Sequence, residues 1–270
     1  MKQAIGVIDS GVGGLTVASE LMRQLPNEKL IYLGDTLRCP YGSRPEEEIK
    51  QFTWNMVHFL MEKDIKLLVI ACNTATAYTL IDLQQKLDIP VIGVIQPGAR
   101  AAINATKNKR IGIIGTEGTI RSNAYTKALH MINADITVIS GSCPLFVPMV
   151  EKGILSGPEA YQTVNEGLQS MKDSADIDTL VLGCTHYPLI KDVIQDVVGE
   201  HVQLISSSEE TARETSAILE LHDLLNKDDT FFEHQFYTTG ELSIFQKLTT
   251  NIFSHHLEYL SKIKIDKVSI

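Results

Sequence analysis

An internal repeat is the feature of this sequence that most constrains its fold. Ile5-Gly-Val-Ile8 resembles Ile111-Gly-Ile-Ile114, which lies 106 residues further along the chain. The apolar runs at 30–34 and 136–140 are separated by the same 106 residues. Two matches at one offset indicate that a unit of roughly a hundred residues occurs twice.

Two pairs of cysteines follow the same repeat. Cys39-Pro40 and Cys143-Pro144 are 104 residues apart, and the segments ending at Cys72 and Cys184 are 112 residues apart. In the second pair, Leu-Val-Ile-Ala-Cys-Asn-Thr corresponds to Leu-Val-Leu-Gly-Cys-Thr-His. Landmarks that recur in the same order at nearly constant spacing predict two related halves.

The pattern within each half is that of parallel β-α-β units. Short apolar runs rich in valine and isoleucine alternate with longer amphipathic stretches, which is typical of strands buried on both faces and connected by helices. We therefore predict an α/β fold made of two homologous parallel-sheet α/β domains with pseudo-twofold symmetry and an active site in the cleft between them. The predicted strands are 5–8, 30–33, 67–70, 90–95, 111–114, 136–139, 180–182 and 202–205.

The domain boundaries follow from the repeat and from what it leaves over. We place the first domain at residues 1–97 and the second at 98–206, with crossovers near Pro97-Gly98 and 206–208. Residues 207–270 have no counterpart in the repeat, and we expect this segment to return to the first domain. Within it we predict a strand at 234–238 and a helix at 241–253.

Composition excludes several classes of protein. The 270 residues include 24 Lys and Arg against 33 Asp and Glu, a net charge of −9 without a basic run, so we expect no nucleic-acid partner. The four cysteines form no Cys-x-x-Cys, which argues against a disulfide framework and a zinc site. No segment approaches the roughly 18 apolar residues of a membrane span, and no targeting signal is recognisable. We expect a cytoplasmic protein with no membrane association.

Polar residues and cysteines follow the predicted strands, where ligands bind in parallel sheets. Cys72 and Cys184 each stand directly between a strand and a helix, and a helix N-terminus favours the thiolate form. The repeat predicts that these two thiols face each other across the cleft between the halves. Inverting a stereocentre requires a base on one face of the carbon and an acid on the other, and two like groups that exchange roles suit that reaction.

Other sites are less well supported by the pattern. Gly11-Val-Gly13-Gly14 follows a strand, but it lacks the full dinucleotide or phosphate-loop motif, so no nucleotide is expected. His234 and the pair His255-His256 lack metal-ligand spacing, and we predict no metal site. Cys39 and Cys143 each precede proline in a loop, and we expect them to be structural.

Four motifs identify a known family. They are Asp9-Ser-Gly-Val-Gly-Gly-Leu-Thr-Val17, Gly34-Asp-Thr-Leu-Arg-Cys-Pro-Tyr-Gly42, Ala71-Cys-Asn-Thr-Ala-Thr-Ala77 and Leu182-Gly-Cys-Thr-His-Tyr-Pro-Leu189. Together they span about 180 residues, and the sequence resembles the glutamate racemases of the cofactor-independent aspartate/glutamate racemase superfamily.

The resemblance implies a set of roles. Cys72 would take the proton from D-glutamate and Cys184 from L-glutamate, with Asp9 assisting Cys72, and His186 with Glu151 assisting Cys184. It further implies no pyridoxal phosphate, metal or nucleotide, a homodimer, and a bacterial pathway in which D-glutamate supplies peptidoglycan synthesis, cell-wall biogenesis and cell shape. The residues implied to hold the substrate are Asp9, Ser10, Tyr41, Gly42, Asn73, Thr74, Thr185 and His186.

Three alternatives stay open at the level of the sequence. The same chemistry could act on aspartate or another small acidic substrate. A decarboxylase or isomerase of the superfamily is a second possibility, although such enzymes tend to keep one cysteine or change the pair. The third is a binding module without catalytic activity that holds an acidic metabolite or a protein partner.

Overall fold

The computed structural model describes residues 3–173, 176–227, 232–254 and 257–270. Within these ranges the chain forms ten β-strands, thirteen α-helices and a 3₁₀ turn at Tyr187–Ile190. The strands are β1 Ala4–Asp9, β2 Leu30–Gly34, β3 Ile65–Ile70, β4 Val91–Gly93, β5 Arg110–Gly115, β6 Thr137–Ser142, β7 Thr179–Gly183, β8 Gln203–Ile205, β9 His234–Thr238 and β10 Ile263–Lys267. The helices are α1 Leu15–Gln24, α2 Glu46–Met61, α3 Asn73–Lys86, α4 Ile95–Ala105, α5 Glu117–Ser122, α6 Ala124–Ile132, α7 Phe146–Glu151, α8 Gly157–Gly167, α9 Gln169–Asp173, α10 Lys191–Val198, α11 Ser208–Leu221, α12 Leu242–Ile252 and α13 Leu257–Leu260.

The strands form two parallel sheets with a repeated order. The first sheet is β10-β9-β2-β1-β3-β4 and the second is β6-β5-β7-β8. The order β2-β1-β3-β4 therefore recurs as β6-β5-β7-β8, and all pairings in both sheets are parallel. The predicted α/β architecture with two related parallel sheets is confirmed.

The central strands are buried because helices cover both faces of each sheet. Every residue of β1, β2 and β3 is buried, as is every residue of β7. Apolar clusters fill the space on both sides of the first sheet, one around Val7 and Val69 and the other around Ile8 and Leu68. Alternate residues of one strand thus enter different clusters, as period-two side-chain alternation requires. This explains the continuous apolar runs in the sequence.

The segment after residue 206 adds two strands to the first sheet. β9 pairs with β2, and β10 pairs with β9. The structure has the strand predicted at 234–238 with the same bounds. β10 was not predicted, although Ile263-Lys-Ile-Asp-Lys267 has the apolar and charged alternation of a half-buried strand and lies at the half-exposed edge of the sheet.

The predicted boundary near Pro97-Gly98 lies inside a helix. Ile95 to Ala105 form α4, so a crossover at this dipeptide would run through a helix and not through a loop. Pro97 is tolerated because it lies in the first turn, where its missing N–H is not needed. The domain limits themselves, 1–97 with 207–270 and 98–206, stay a prediction.

Several predicted elements are shorter or divided. The predicted strand at 90–95 has only three paired residues, and the helix predicted at 122–131 is interrupted at Asn123, whose φ of 55° is left-handed. The helix predicted at 158–171 is interrupted after Gly167. Among the described residues, no helix is both long and apolar enough to cross a lipid bilayer.

A buried histidine connects the added strands to the first sheet and makes stability depend on pH. The Leu30 N–H donates to His234 Nδ1 at 3.1 Å, which requires an unprotonated nitrogen. Burial, aided by the positive charges of Lys262 and Lys29, lowers the pKa of His234 to about 4 from 6.5. Between these values the unfolded chain binds more protons than the folded one, so stability falls as the pH drops through this window.

We expect His234 to lower the free energy of unfolding by about 2 kcal/mol between about pH 7 and about pH 5. Urea unfolding at the two pH values measures this loss. A His234→Asn variant, whose amide oxygen can accept from Leu30, should lose less by about that amount. An equal loss in both proteins would show that other groups cause the pH dependence.

Candidate active site

One cavity lies where strands of the two sheets end. It has about 260 Å³ of empty space and, with the side chains as they stand, room for about one water molecule. It is lined by Ser10, Pro40, Tyr41, Gly42, Cys72, Asn73, Thr74, Thr116, Val147, Gly183, Cys184, Thr185 and His186. Nine of the predicted site residues therefore share one cavity, whereas Asp9 and Glu151 stand directly behind its wall.

Cys72 connects β3 to α3 and is 5% exposed. Its Sγ accepts a hydrogen bond from the Ala75 N–H at 3.4 Å and donates to Ser10 Oγ at 3.4 Å. Burial and the nearby Asp9 charge raise the pKa of Cys72 to about 12, although the bonds with Ser10 and Ala75 oppose this. The helix N-terminus therefore does not lower the pKa of this thiol as the sequence suggested, because desolvation outweighs it.

Asp9 ends β1 and is completely buried. Its Oδ2 accepts from the Gly11 N–H at 3.0 Å, and its Oδ1 accepts from Thr185 Oγ1 at 3.2 Å. Burial raises the pKa of Asp9, while the charge of His186 and these hydrogen bonds act in the opposite direction. Because Thr185 follows β7, this carboxylate couples the first sheet to the second.

Cys184, His186 and Glu151 form a chain of contacts on the opposite wall. Cys184 Sγ lies 3.7 Å from His186 Nδ1, and His186 Nε2 lies 2.7 Å from Glu151 Oε1. Burial alone would lower the pKa of His186, but its bonds to Cys184, Cys39 and Glu151 outweigh burial and hold that pKa well above its usual value. Burial would raise the pKa of Glu151, yet the imidazole lowers it overall. The two form a His⁺–Glu⁻ pair.

Sequence reasoning missed the position of Cys39. Its Sγ donates to Glu151 Oε1 at 3.6 Å, so this cysteine is in contact with the His186–Glu151 pair. Burial raises the pKa of Cys39 to about 11. Its location at the loop after β2, two residues before Tyr41, was the available signal. Cys143, in contrast, is buried in the core of the second sheet, where its Sγ donates to the Gly167 carbonyl.

Among the described residues that line the cavity, Asn73 has an unpaired side-chain amide donor. It is 2% exposed, and its Oδ1 accepts from the Tyr125 hydroxyl at 2.7 Å. Its Nδ2 is buried and has no hydrogen-bond partner among the described residues. A buried amide without a partner is costly, so it marks a place where an acceptor can bind.

The other predicted binding residues are held by their neighbours. Thr74 Oγ1 lies 2.8 Å from Thr116 Oγ1, and the Tyr41 hydroxyl donates to buried Asp35. A Cβ on Gly42 would come within 2.3 Å of Thr116, so only glycine permits the two loops to meet here. Thr116 was not predicted, yet it lies 106 residues after Ser10 and occupies the equivalent position of the second sheet.

The arrangement supports one type of chemistry better than others. Two thiols reach one enclosed cavity from related sheets, each with its own carboxylate or imidazole behind it. Acid–base groups of the same kind on two walls are suited to proton removal and delivery on opposite faces of a carbon atom. The fold and the site are typical of an isomerase of the racemase class.

Comparison with known proteins defines the family. The family model for Asp/Glu/hydantoin racemases matches residues 5–215. The glutamate racemase of Oceanobacillus iheyensis is 62% identical over 262 residues, 97% of this chain and 96% of that protein. The chain belongs to the glutamate racemase family and is an isomerase.

Solved structures agree with this assignment. A crystal structure of a glutamate racemase isoform from Bacillus anthracis matches with a TM-score of 0.92 at 49% identity, covering 100% of this chain and 99% of that one. The glutamate racemase of Francisella tularensis, solved in complex with D-glutamate, matches with a TM-score of 0.89 at 36% identity, covering 99% and 98% of the two chains.

Proposed function

We propose that the protein interconverts L- and D-glutamate by proton transfer between the α-carbon and two thiols, Cys72 and Cys184. The observation that carries the proposal is that both thiols line one cavity, at the ends of strands from two different sheets. From the family we extend the proposal to a cytoplasmic, homodimeric enzyme whose D-glutamate supplies peptidoglycan synthesis and so cell-wall biogenesis and cell shape.

The two walls differ in the groups that stand beside each thiol. With its pKa raised to about 12, Cys72 is a protonated thiol and hence an acid at neutral pH. On the other wall, Nδ1 of the positively charged His186 ring lies 3.7 Å from Cys184 Sγ. In the L-to-D direction Cys184 takes the α-proton of L-glutamate while Cys72 delivers its proton to the opposite face, giving D-glutamate. For D-glutamate the two thiols exchange roles.

The groups behind each thiol assist the transfer. Asp9 is a buried carboxylate whose pKa is raised by burial. It can therefore exchange a proton on the Cys72 side when that thiol must lose its own. Glu151 holds the His186 ring through the 2.7 Å bond to Nε2, which orients Nδ1 toward Cys184. These are positioning and acid–base assisting roles that leave proton transfer at the α-carbon to the sulfurs.

The carbanion-like transition state must be stabilised by the cavity. The Asn73 Nδ2 donor, together with Ser10 and Thr74, can donate to the substrate carboxylates once closure excludes water, while Thr185, whose hydroxyl donates to Asp9, lines the same cavity. In this mechanism the hydrogen bonds replace the electron sink that a cofactor would supply, so we propose catalysis without pyridoxal phosphate, metal or nucleotide. Tyr41, Gly42, His186 and Asp9 complete the proposed binding set.

The narrow cavity implies a conformational step. Since the enclosed space has room for about one water molecule, glutamate enters only when the walls separate. Contacts between the sheets, such as Asp9 with Thr185, would part on opening and re-form on closure. We therefore propose that closure of the two halves over the substrate assembles the reactive arrangement.

The decisive experiment follows both enantiomers in heavy water. Purified protein, without added pyridoxal phosphate, is incubated with L- or D-glutamate, and optical rotation and α-deuteration are measured. Both should proceed to the racemic mixture, and turnover of aspartate should be far slower. Comparable turnover of aspartate would change the substrate assignment. If the optical rotation does not change and no α-deuteration occurs, the protein is a binding module.

A further inference from the structure

We propose that Cys39, Glu151 and His186 form a binding site for a thiophilic divalent cation of the Zn²⁺ class, whose occupancy inhibits the enzyme. These residues come from the loop after β2, the end of α7 and the segment after β7. A sulfur, a carboxylate oxygen and an imidazole nitrogen form a ligand set that suits zinc.

The three ligand atoms converge in space. Cys39 Sγ, a Glu151 oxygen and a His186 nitrogen all lie within 4.8 Å of one another. Cys39 Sγ is 3.6 Å from Glu151 Oε1, which is 2.7 Å from His186 Nε2. Tetrahedral zinc places sulfur at about 2.3 Å and nitrogen at about 2.0 Å, so its ligands stand somewhat more than 3 Å apart. Small side-chain shifts would bring the three atoms to that separation.

Gly11 has no side chain, and this leaves open a small space between the three ligand atoms. The point where a Cβ on Gly11 would stand is 2.7 Å from Glu151 Oε1, 2.9 Å from Cys39 Sγ and 3.3 Å from His186 Nε2. All three atoms therefore surround one small region beside a residue without a side chain. Glu151 is 25% exposed, which gives an ion in solution a path to the site.

Binding at this site would interfere with the reaction. A metal on His186 Nε2 needs the neutral imidazole and takes the place of its hydrogen bond with Glu151. The imidazole would then be a neutral ligand whose orientation is set by the metal instead of the carboxylate, and the positive charge would lie on the metal, balanced by the Cys39 thiolate and the Glu151 carboxylate. Inhibition is thus expected without any metal contact to the substrate or to Cys72.

Metal binding is tested directly, without reference to turnover. Co²⁺ is added to the purified protein as a spectroscopic probe, and thiolate-to-cobalt charge-transfer absorption is recorded, followed by competition with Zn²⁺. Cys39→Ser should weaken Zn²⁺ binding by about 100-fold, since it removes the sulfur ligand. Cys143→Ser is the matched control and should bind as the parent does.

A variant of the neighbouring thiol, Cys184, distinguishes the proposed metal site from one in which Cys184 is the sulfur ligand. Cys184→Ser should keep the charge-transfer band, because Cys184 is not in the proposed ligand set. Loss of the band in Cys184→Ser with retention in Cys39→Ser would overturn the proposal, as would unchanged Zn²⁺ affinity in Cys39→Ser. Thermal melts of each variant establish that it is folded, and absence of a band in the folded parent protein would equally refute the site.

Inhibition is measured in a second, separate arm. Zn²⁺ should inhibit turnover of the parent protein reversibly, with recovery on addition of a chelator, and Cys39→Ser should need about 100-fold more Zn²⁺ for the same inhibition. Equal sensitivity of the two proteins would refute inhibition through this site. Because the binding arm uses no substrate, an error in the proposed reaction cannot be mistaken for an error in the metal site.

Discussion

Replacing Cys72 or Cys184 with alanine is expected to lower the rate of glutamate racemisation by roughly 10²–10⁴-fold, the range for loss of a general acid or base. Either change removes one of the two proton-transfer groups of the cavity, and no other thiol lines it among the described residues. Initial rates measured from both enantiomers provide the test. Full activity in either variant would rule out the two-thiol mechanism.

Exchange of the α-proton separates the roles of the two thiols. With Cys72 alone, a proton can be removed from and returned to one face only, so any residual deuteration in Cys184→Ala should be confined to D-glutamate. Cys72→Ala should show the mirror-image result with L-glutamate. Cys143→Ser, altered in the core of the second sheet, is the control and should keep near-parental rates. Equal exchange of both enantiomers in one variant would contradict the assigned faces.

A buried ion pair gives the largest effect expected on stability. Lys66 Nζ lies 2.6 Å from Glu28 Oε2, and the two side chains are 1% and 2% exposed. Glu28 Oε1 also accepts from the Asn226 N–H, and Lys66 donates to the Leu224 carbonyl. Removing one charge leaves the other buried without its partner, so Glu28→Ala should lower the free energy of unfolding by about 3–5 kcal/mol.

Chemical denaturation of three variants tests this interpretation. Lys227→Ala removes an exposed pair with Asp223 and should leave the free energy of unfolding nearly unchanged, because solvent screens such pairs. The double variant Glu28→Leu/Lys66→Met removes both charges and should recover much of the loss, since apolar replacements of a buried pair are often neutral. A double variant as unstable as Glu28→Ala would show that the hydrogen bonds to residues 224 and 226 matter more than the unpaired charge.

The repeat predicted the architecture well because it records the burial of whole strands. Each of the eight predicted strands of the two halves overlaps a strand of the structure, and the order of the sheets repeats as expected. Short-range features escaped the pattern. Asn123 interrupts a helix through a single left-handed residue, and β10 is an edge strand of alternating apolar and charged residues, so it has no continuous apolar run like those of the buried strands.

The sequence predicted those site residues that directly follow a strand. It did not predict contacts between residues that are far apart in the chain. Cys72, Asn73 and Cys184 follow directly from the strand-to-helix pattern. The proximity of Cys39 to Glu151 joins positions 112 residues apart; the loop position of Cys39 near Tyr41 indicates that it is close to the site but not that it contacts Glu151. The pKa of Cys72 was likewise out of reach, because the sequence shows the helix after the cysteine but not the depth of its burial.

The place of β9 and β10 in the first sheet has a consequence for synthesis on the ribosome. All four strands of the second sheet are complete once residue 205 has been made, whereas β9, the outer neighbour of β2, is complete only at residue 238, and β10 at residue 267. The half that begins the chain is therefore the last to be finished, and until β9 has been made β2 is an uncovered edge open to pairing with other chains. Released chains that end shortly after residue 205 should accordingly protect the second sheet from proteolysis more than the first, which lacks β9 and β10.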